Sequence, residues 1–273
     1  MAELDLQQFK EQGFALARGF FQKEEVASVR NDAKSVFLTQ LLRHGILSSN
    51  NPSEREFETK LFAYFDQHLQ EFINCGKQIQ HLVSLHRLSL DTRIEQVLRQ
   101  ELGLQFPNVS TRPVLYFNSR FLAKDEVYWR VFPHQDWRSM QGSLDSIVVW
   151  VPLADVDIEL GALEVVPGSH RLGLLTTKVE NSFGKVERFG DGDFVSVQAK
   201  QGDALFFSSF LVHRSGVNTT DSIRWSCHFR YNNLAERTFI ERGYPHPYLY
   251  KPQEELITAE FPNLEQLAEL FQS

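Results

Sequence analysis

The chain has 273 residues, 42% of them hydrophobic, with a formal charge of -7 and a pI near 5.7. That length and apolar content support one sizeable core, and the acidic balance argues against nucleic acid or an anionic membrane as the main partner. Two cysteines, Cys75 and Cys227, make no disulfide framework and no zinc-ribbon pair. The start, Met1 to Asp5, lacks the basic-then-apolar design of a signal peptide, and there is no apolar run of about 18 residues. The expectation is a single domain over 1–273 in a reducing, cytoplasmic compartment.

In chain order, residues 4–21 read as a short helix, a stop at Gly13 and a strand in which Phe14, Leu16 and Arg18 alternate with Ala15 and Ala17. Val26, Val29, Ala33, Val36, Phe37 and Leu41 recur at helical spacing, and Ser48–Ser53 is a turn cluster. Helical periodicity resumes from Glu54 through Phe57, Leu61, Phe65, Leu69 and Phe72, followed by helices around 79–88 and 93–102. This helical decoration, about 23–102, carries no obvious chemistry and reads as a packing layer.

At Asn108 the texture changes. Short β-branched and aromatic runs at Pro113–Ser119, Val127–Pro133, Ser146–Pro152, Leu163–Pro167, Asp203–Phe207 and Ile223–Tyr231 are separated by Gly, Pro, Asn and Asp. Many short strands with no long helix between them predict an antiparallel sandwich or barrel over about 108–231, with a Pro-rich tail and a helix, Leu264–Phe271, in 244–273. The fold class expected is mostly β with flanking helices.

The chemistry concentrates in Val131–Trp137. His134 and Asp136 stand two apart, so on a strand both leave the same face. An imidazole beside a carboxylate begins a 2-His-1-carboxylate set of the kind that holds Fe(II) and leaves positions open. The third ligand should come from a distant strand, and His213 is the candidate.

The chain resembles the phytanoyl-CoA dioxygenase family of Fe(II)/2-oxoglutarate oxygenases. The resemblance rests on Trp150–Leu153, Gly161–His170, Gly202–Asp203, His213–Ser215, Arg224, the His-x-Asp…His order and the opening Phe9–Phe14. It is strongest over 113–231 and poor over 40–105. It implies a double-stranded β-helix (jelly-roll, cupin-like) core with an N-terminal helical layer. It also implies an iron site at His134, Asp136 and His213, with 2-oxoglutarate and O2 as cosubstrates. Arg224 would grip the distal carboxylate of 2-oxoglutarate, a task suited to a guanidinium fork. Ser215 would share that carboxylate, Trp150 would wall the pocket, and Asn118 or Tyr116 would reach the cosubstrate's other end. Relatives that halogenate carry a small residue where this chain has Asp136, so hydroxylation is favoured over halogenation. Desaturation, ring formation and epimerisation use the same triad.

Simpler readings stand beside these. Arg224 could form a surface pair with Asp221, and Trp150 is a core aromatic in any case. His170 reads as a loop brace, and His81, His86 and His246 as surface or packing residues. His228 and Arg230 share the face of Arg224, lining the pocket or its solvent end. The loop 137–145 should overhang the site. Arg138, Arg120 and Lys124 are candidates to meet an anionic substrate, and no basic groove suits the CoA phosphates. A small polar metabolite is the preferred substrate. The alternatives are a cupin-type metalloenzyme independent of 2-oxoglutarate and a non-catalytic ligand-binding barrel. Oligomeric state is open.

Overall fold

The structure is a computed structural model that describes residues 4–124, 131–180 and 183–241. The expected start of a strand at 127–130, His246 and the 244–273 tail with its helix lie outside the described residues.

The chain opens with α1 (Leu6–Gln12), whose N-terminus is capped by the Asp5 carboxylate accepting from the Gln8 amide at 2.8 Å. Gly13 ends the helix in the left-handed region, φ +86°, which a side chain would resist, and β1 (Phe14–Ala17) follows. Next come α2 (Lys23–Arg43), α3 (Glu54–Gln67), α4 (Leu69–Gln78), α5 (Val83–Ser89) and α6 (Thr92–Gln96), the last running into a π turn at Val97–Glu101. The helical layer thus forms where periodicity placed it, broken into shorter pieces than expected between 79 and 101.

The strands are β2 (Pro107–Val109), β3 (Val114–Asn118), β4 (Ile147–Pro152), β5 (Leu163–Val165), β6 (Lys178–Glu180), β7 (Phe183–Lys185), β8 (Val195–Val197), β9 (Ala204–Ser208), β10 (His213–Ser215) and β11 (Arg224–Asn233). One antiparallel sheet runs β1-β9-β4-β11, with β3 and β2 both on the far edge of β11. A second runs β10-β5-β8, and β6 pairs with β7. The segment entering His134 also pairs with β10: the Ser215 amide donates to the Val131 carbonyl at 3.1 Å. Two facing antiparallel sheets make the jelly-roll core, with helices on one outer face.

Strand alternation sorts the larger sheet into two environments. Ala15, Ala17, Val149, Val151, Ala204, Phe206, Trp225, Cys227 and Phe229 join one apolar cluster with the buried faces of α2, α3 and α4. Phe14, Val148, Trp150, Leu205 and Phe207 point the other way, onto Leu163, Val165 and Val197 of the second sheet. On β11 the barrel-side positions are instead Arg224, Ser226, His228 and Arg230, so the chemistry faces the interior. Among the described residues no helix is long and apolar enough to cross a membrane.

Asp203 ties the chain's start to the barrel. Its buried carboxylate accepts from the Gly19 amide and from the Lys200 amide, both at 2.8 Å. Asp203→Ala strands two backbone donors and is expected to cost about 2–4 kcal/mol, read as a lower urea midpoint with an unchanged m-value.

Candidate metal centre

His134 and His213 meet through the backbone. Each amide donates to the other's carbonyl at 3.0 Å, an antiparallel bridge that sets the two imidazoles side by side with ring centroids 4.2 Å apart. The His134 Nδ1 lies 2.8 Å from the Phe132 carbonyl and the His213 Nδ1 lies 3.0 Å from the Leu211 carbonyl. A carbonyl only accepts, so each Nδ1 carries the proton and each Nε2 offers its lone pair, the arrangement a metal-binding histidine needs.

Asp136 joins them by a different route from the one expected. It sits in right-handed helical conformation, φ -61° and ψ -31°, as the N-cap of the one-turn helix α7 (Trp137–Met140). A turn after His134, rather than strand alternation, brings its Oδ1 to 3.5 Å from the His134 Nε2. One ligand atom from each of His134, Asp136 and His213 lies within 4.8 Å of the others. Asp136 and His213 are each 2% exposed, while His134 is half-buried at the open side.

The charges suit a cation. Burial alone would raise the Asp136 carboxyl, but the Arg230 guanidinium beside it and the two imidazoles hold it well below the usual carboxylate range. Arg230 Nε donates to Oδ2 at 2.9 Å and Nη2 to Oδ1 at 3.3 Å. Burial pushes His213 down to about 3, with the neighbouring His134 adding to it, so its imidazole stays neutral. Arg230 is thus the ion-pair partner of Asp136, a place that the sequence left undecided. Its even spacing from Arg224 was the available signal.

Tyr116, Ser215 and Arg224 line the same cavity as the two triad histidines, with Val131, Leu163 and His228. Arg224 is 3% exposed, which overturns the surface-pair reading, and Asp221 is instead held by Arg120 at 2.8 Å. Arg224 donates to the Gly161 carbonyl and, at 3.3 Å, to the Ser215 hydroxyl, so Ser215 does share the face of His213. Its Nε has no partner, and among the described residues no carboxylate pairs with it. Burial lowers it to about 10, still a cation at neutral pH. Gly161 approaches because Gly216 lets backbone meet backbone: a Cβ on Gly216 would lie 2.3 Å from the Ala162 carbonyl oxygen.

Asn118 and Trp150 sit one step back. Asn118 is buried opposite Arg224 in the β3–β11 register, and Trp150 is opposite His228 in the β4–β11 register. Neither lines the cavity. The Trp150 Nε1, His228 Nδ1 and Ser226 Oγ are buried without partners among the described residues. The His228 ring lies 5.0 Å from Tyr116, which resolves its place as pocket rather than solvent end.

The loop 137–145 does not overhang the cavity. Trp137 stacks on Phe210 at 5.2 Å, Ser143 donates to Asn232, and Leu144 to Glu236, so it is fastened to the last residues of β11 and the turn that follows. Nor do the suggested anion receptors face the site. Arg138 donates to the Leu175 carbonyl, Arg120 binds Asp221, and Lys124 lies over Phe65. His170 packs against the Gly13 turn, consistent with a brace.

Set against known proteins, residues 9–226 match the model of the family described as Phytanoyl-CoA dioxygenase (PhyH). The phytanoyl-CoA dioxygenase domain-containing protein 1 homolog of Dictyostelium discoideum is 23% identical over 84% of this chain and 91% of its own. A methylphosphonate hydroxylase of Gimesia maris is 33% identical over 41% of this chain and 42% of its own. A crystal structure of the epimerase SnoN in complex with Fe3+, alpha ketoglutarate and nogalamycin RO superposes with a TM-score of 0.56 at 20% identity, covering 84% of this chain and 82% of that one. That likeness is one of fold. With four-fifths of the chain inside the family match, this protein belongs to the phytanoyl-CoA dioxygenase (PhyH) family.

Proposed function

We propose that this protein is an Fe(II)- and 2-oxoglutarate-dependent dioxygenase that hydroxylates a C–H bond of a small polar metabolite, releasing succinate and CO2. The observation that carries the reading is Arg224: a buried guanidinium without a carboxylate partner, on the strand that also presents Arg230 to the triad. A buried unpaired cation is costly unless a ligand anion completes it. The inward face of β11 sets two guanidinia, Arg224 and Arg230, against the single carboxylate of Asp136, and that excess of positive charge suits a dianionic cosubstrate.

In this reading the Nε2 atoms of His134 and His213 and an oxygen of Asp136 hold the iron. With iron bound, the centre would couple the oxidative decarboxylation of 2-oxoglutarate by O2 to insertion of one oxygen atom into a C–H bond, the other leaving in succinate. The chain's own residues then do five things. Arg224 and Ser215 take the distal carboxylate and fix its angle. Arg230 holds Asp136 in one rotamer, so its free lone pair stays aimed at the site. Val131 and Leu163 keep water from the cavity, and Tyr116 and His228 supply polar groups at its wall. Trp150 and Asn118 back these residues from the neighbouring strands. Small polar substrates are favoured because Tyr116, Ser215, Arg224, His228 and Arg230 bring polar groups to the lining, and the engaged Arg138, Arg120 and Lys124 leave no cationic groove there for CoA phosphates.

Two outcomes follow. With Fe(II), O2 and 2-oxoglutarate, the wild type is expected to form succinate, slowly alone and faster with its substrate in a panel of polar metabolites. Arg224→Ala should need on the order of 10–100-fold more 2-oxoglutarate, the worth of charge-assisted bonds to a carboxylate. Turnover indifferent to 2-oxoglutarate and to Arg224 would mark a different metalloenzyme. Separately, Arg230→Met should weaken Fe(II) binding about 10–100-fold with the fold intact, measured anaerobically by chelator competition.

A further inference from the structure

A second group of ligand-type side chains lies in the helical layer, outside the barrel. His44 caps the C-terminus of α2, His68 joins α3 to α4, and Glu71 is in the first turn of α4. The His44 Nε2 is 2.8 Å from the Glu71 Oε2, and the His68 Nδ1 is 3.9 Å from the Glu71 Oε1. One ligand atom from each of the three lies within 4.8 Å of the others, and the two imidazole rings lie against each other with centroids 4.0 Å apart.

A hydrogen bond accounts for only one of these contacts. At 3.9 Å the His68 nitrogen is too far from the carboxylate to bond it directly. The two separations bracket the roughly 3.3 Å edge of a tetrahedron drawn around a cation with bonds of about 2.0–2.1 Å. Two imidazoles tilted 34° to each other, one beside each oxygen of a single carboxylate, are what one borderline cation would gather. The surroundings favour positive charge: the carbonyl end of α2 points here through His44, and the whole chain is acidic. Tyr64 stands behind the group, its hydroxyl 3.5 Å from the Glu71 Oε2. Tyr64 and His44 therefore share the Glu71 Oε2, while Oε1 is turned toward His68.

The geometry points to a zinc-type divalent cation site formed by His44, His68 and Glu71, with water in the fourth position. A cation there clips the end of α2 to the α3–α4 junction, so its role is to stiffen the helical layer that packs behind the larger sheet. This site uses none of the barrel residues and stands whether or not the barrel is an oxygenase.

Zn2+ titrated calorimetrically into the full chain tests it, with His134→Ala as background to silence the barrel triad. The expected result is one equivalent bound to the His134→Ala protein, a second equivalent in the unmodified chain, and a thermal midpoint raised by Zn2+. Adding His44→Ala or Glu71→Gln to His134→Ala should abolish the remaining equivalent, while adding His81→Ala should leave it. Far-UV circular dichroism checks that each variant keeps its helices. No equivalent in the His134→Ala protein, or one that survives both His44→Ala and Glu71→Gln, overturns the site.

Discussion

The candidate centre depends on one backbone contact, the reciprocal pair of hydrogen bonds between His134 and His213. Two residues far apart in sequence are fixed as cross-strand partners, and their side chains must emerge together. Because each ring also donates its Nδ1–H to a carbonyl two residues back in its own chain, neither is free to turn its lone pair away. Asp136 then needs only a turn to arrive, and Arg230 only its place on β11 to hold it. A shift of register by one residue in this pairing would send one imidazole to the opposite face and dissolve the site.

The ten-residue strand β11 is the other organising element. Its outward residues, Trp225, Cys227, Phe229 and Tyr231, are locked into the helical layer, and Tyr231 donates its hydroxyl to the Ser89 carbonyl beyond α5's core face. Its inward residues carry two cations and an imidazole that would be unfavourable in an apolar barrel by themselves. The apolar face holds the strand rigid, and the polar face is preorganised as a result. That link between packing and chemistry explains why a helical layer without reactive groups matters to the barrel.

Much of this was legible in the residues, for identifiable reasons. Strands such as β4 and β11 announce themselves through β-branched and aromatic runs, and α2 and α3 through apolar spacing, because burial imposes those periods directly. Ser215 could be placed because strand alternation from His213 is strict, and Arg224 through the resemblance to the family. What escaped was set by backbone geometry that side-chain pattern does not encode. Asp136 lies on a helical turn although His-x-Asp reads equally well as a strand, and the 137–145 loop is fastened by Asn232 and Glu236, contacts with no local signature. The short strands β2 and β8 went unread. The partner of Arg230 was hidden because ion pairing across about ninety residues is a property of the fold.

The most direct measurement is anaerobic addition of Fe(II) and then 2-oxoglutarate, following the visible charge-transfer absorption of the bidentate chelate. The wild-type protein should develop the band. His134→Ala should lose it, and Ser215→Ala should keep it at a higher 2-oxoglutarate concentration. Iron bound without any band, or a band that persists in His134→Ala, would contradict the assignment of His134, Asp136 and His213 as the centre of a 2-oxoglutarate-dependent oxygenase.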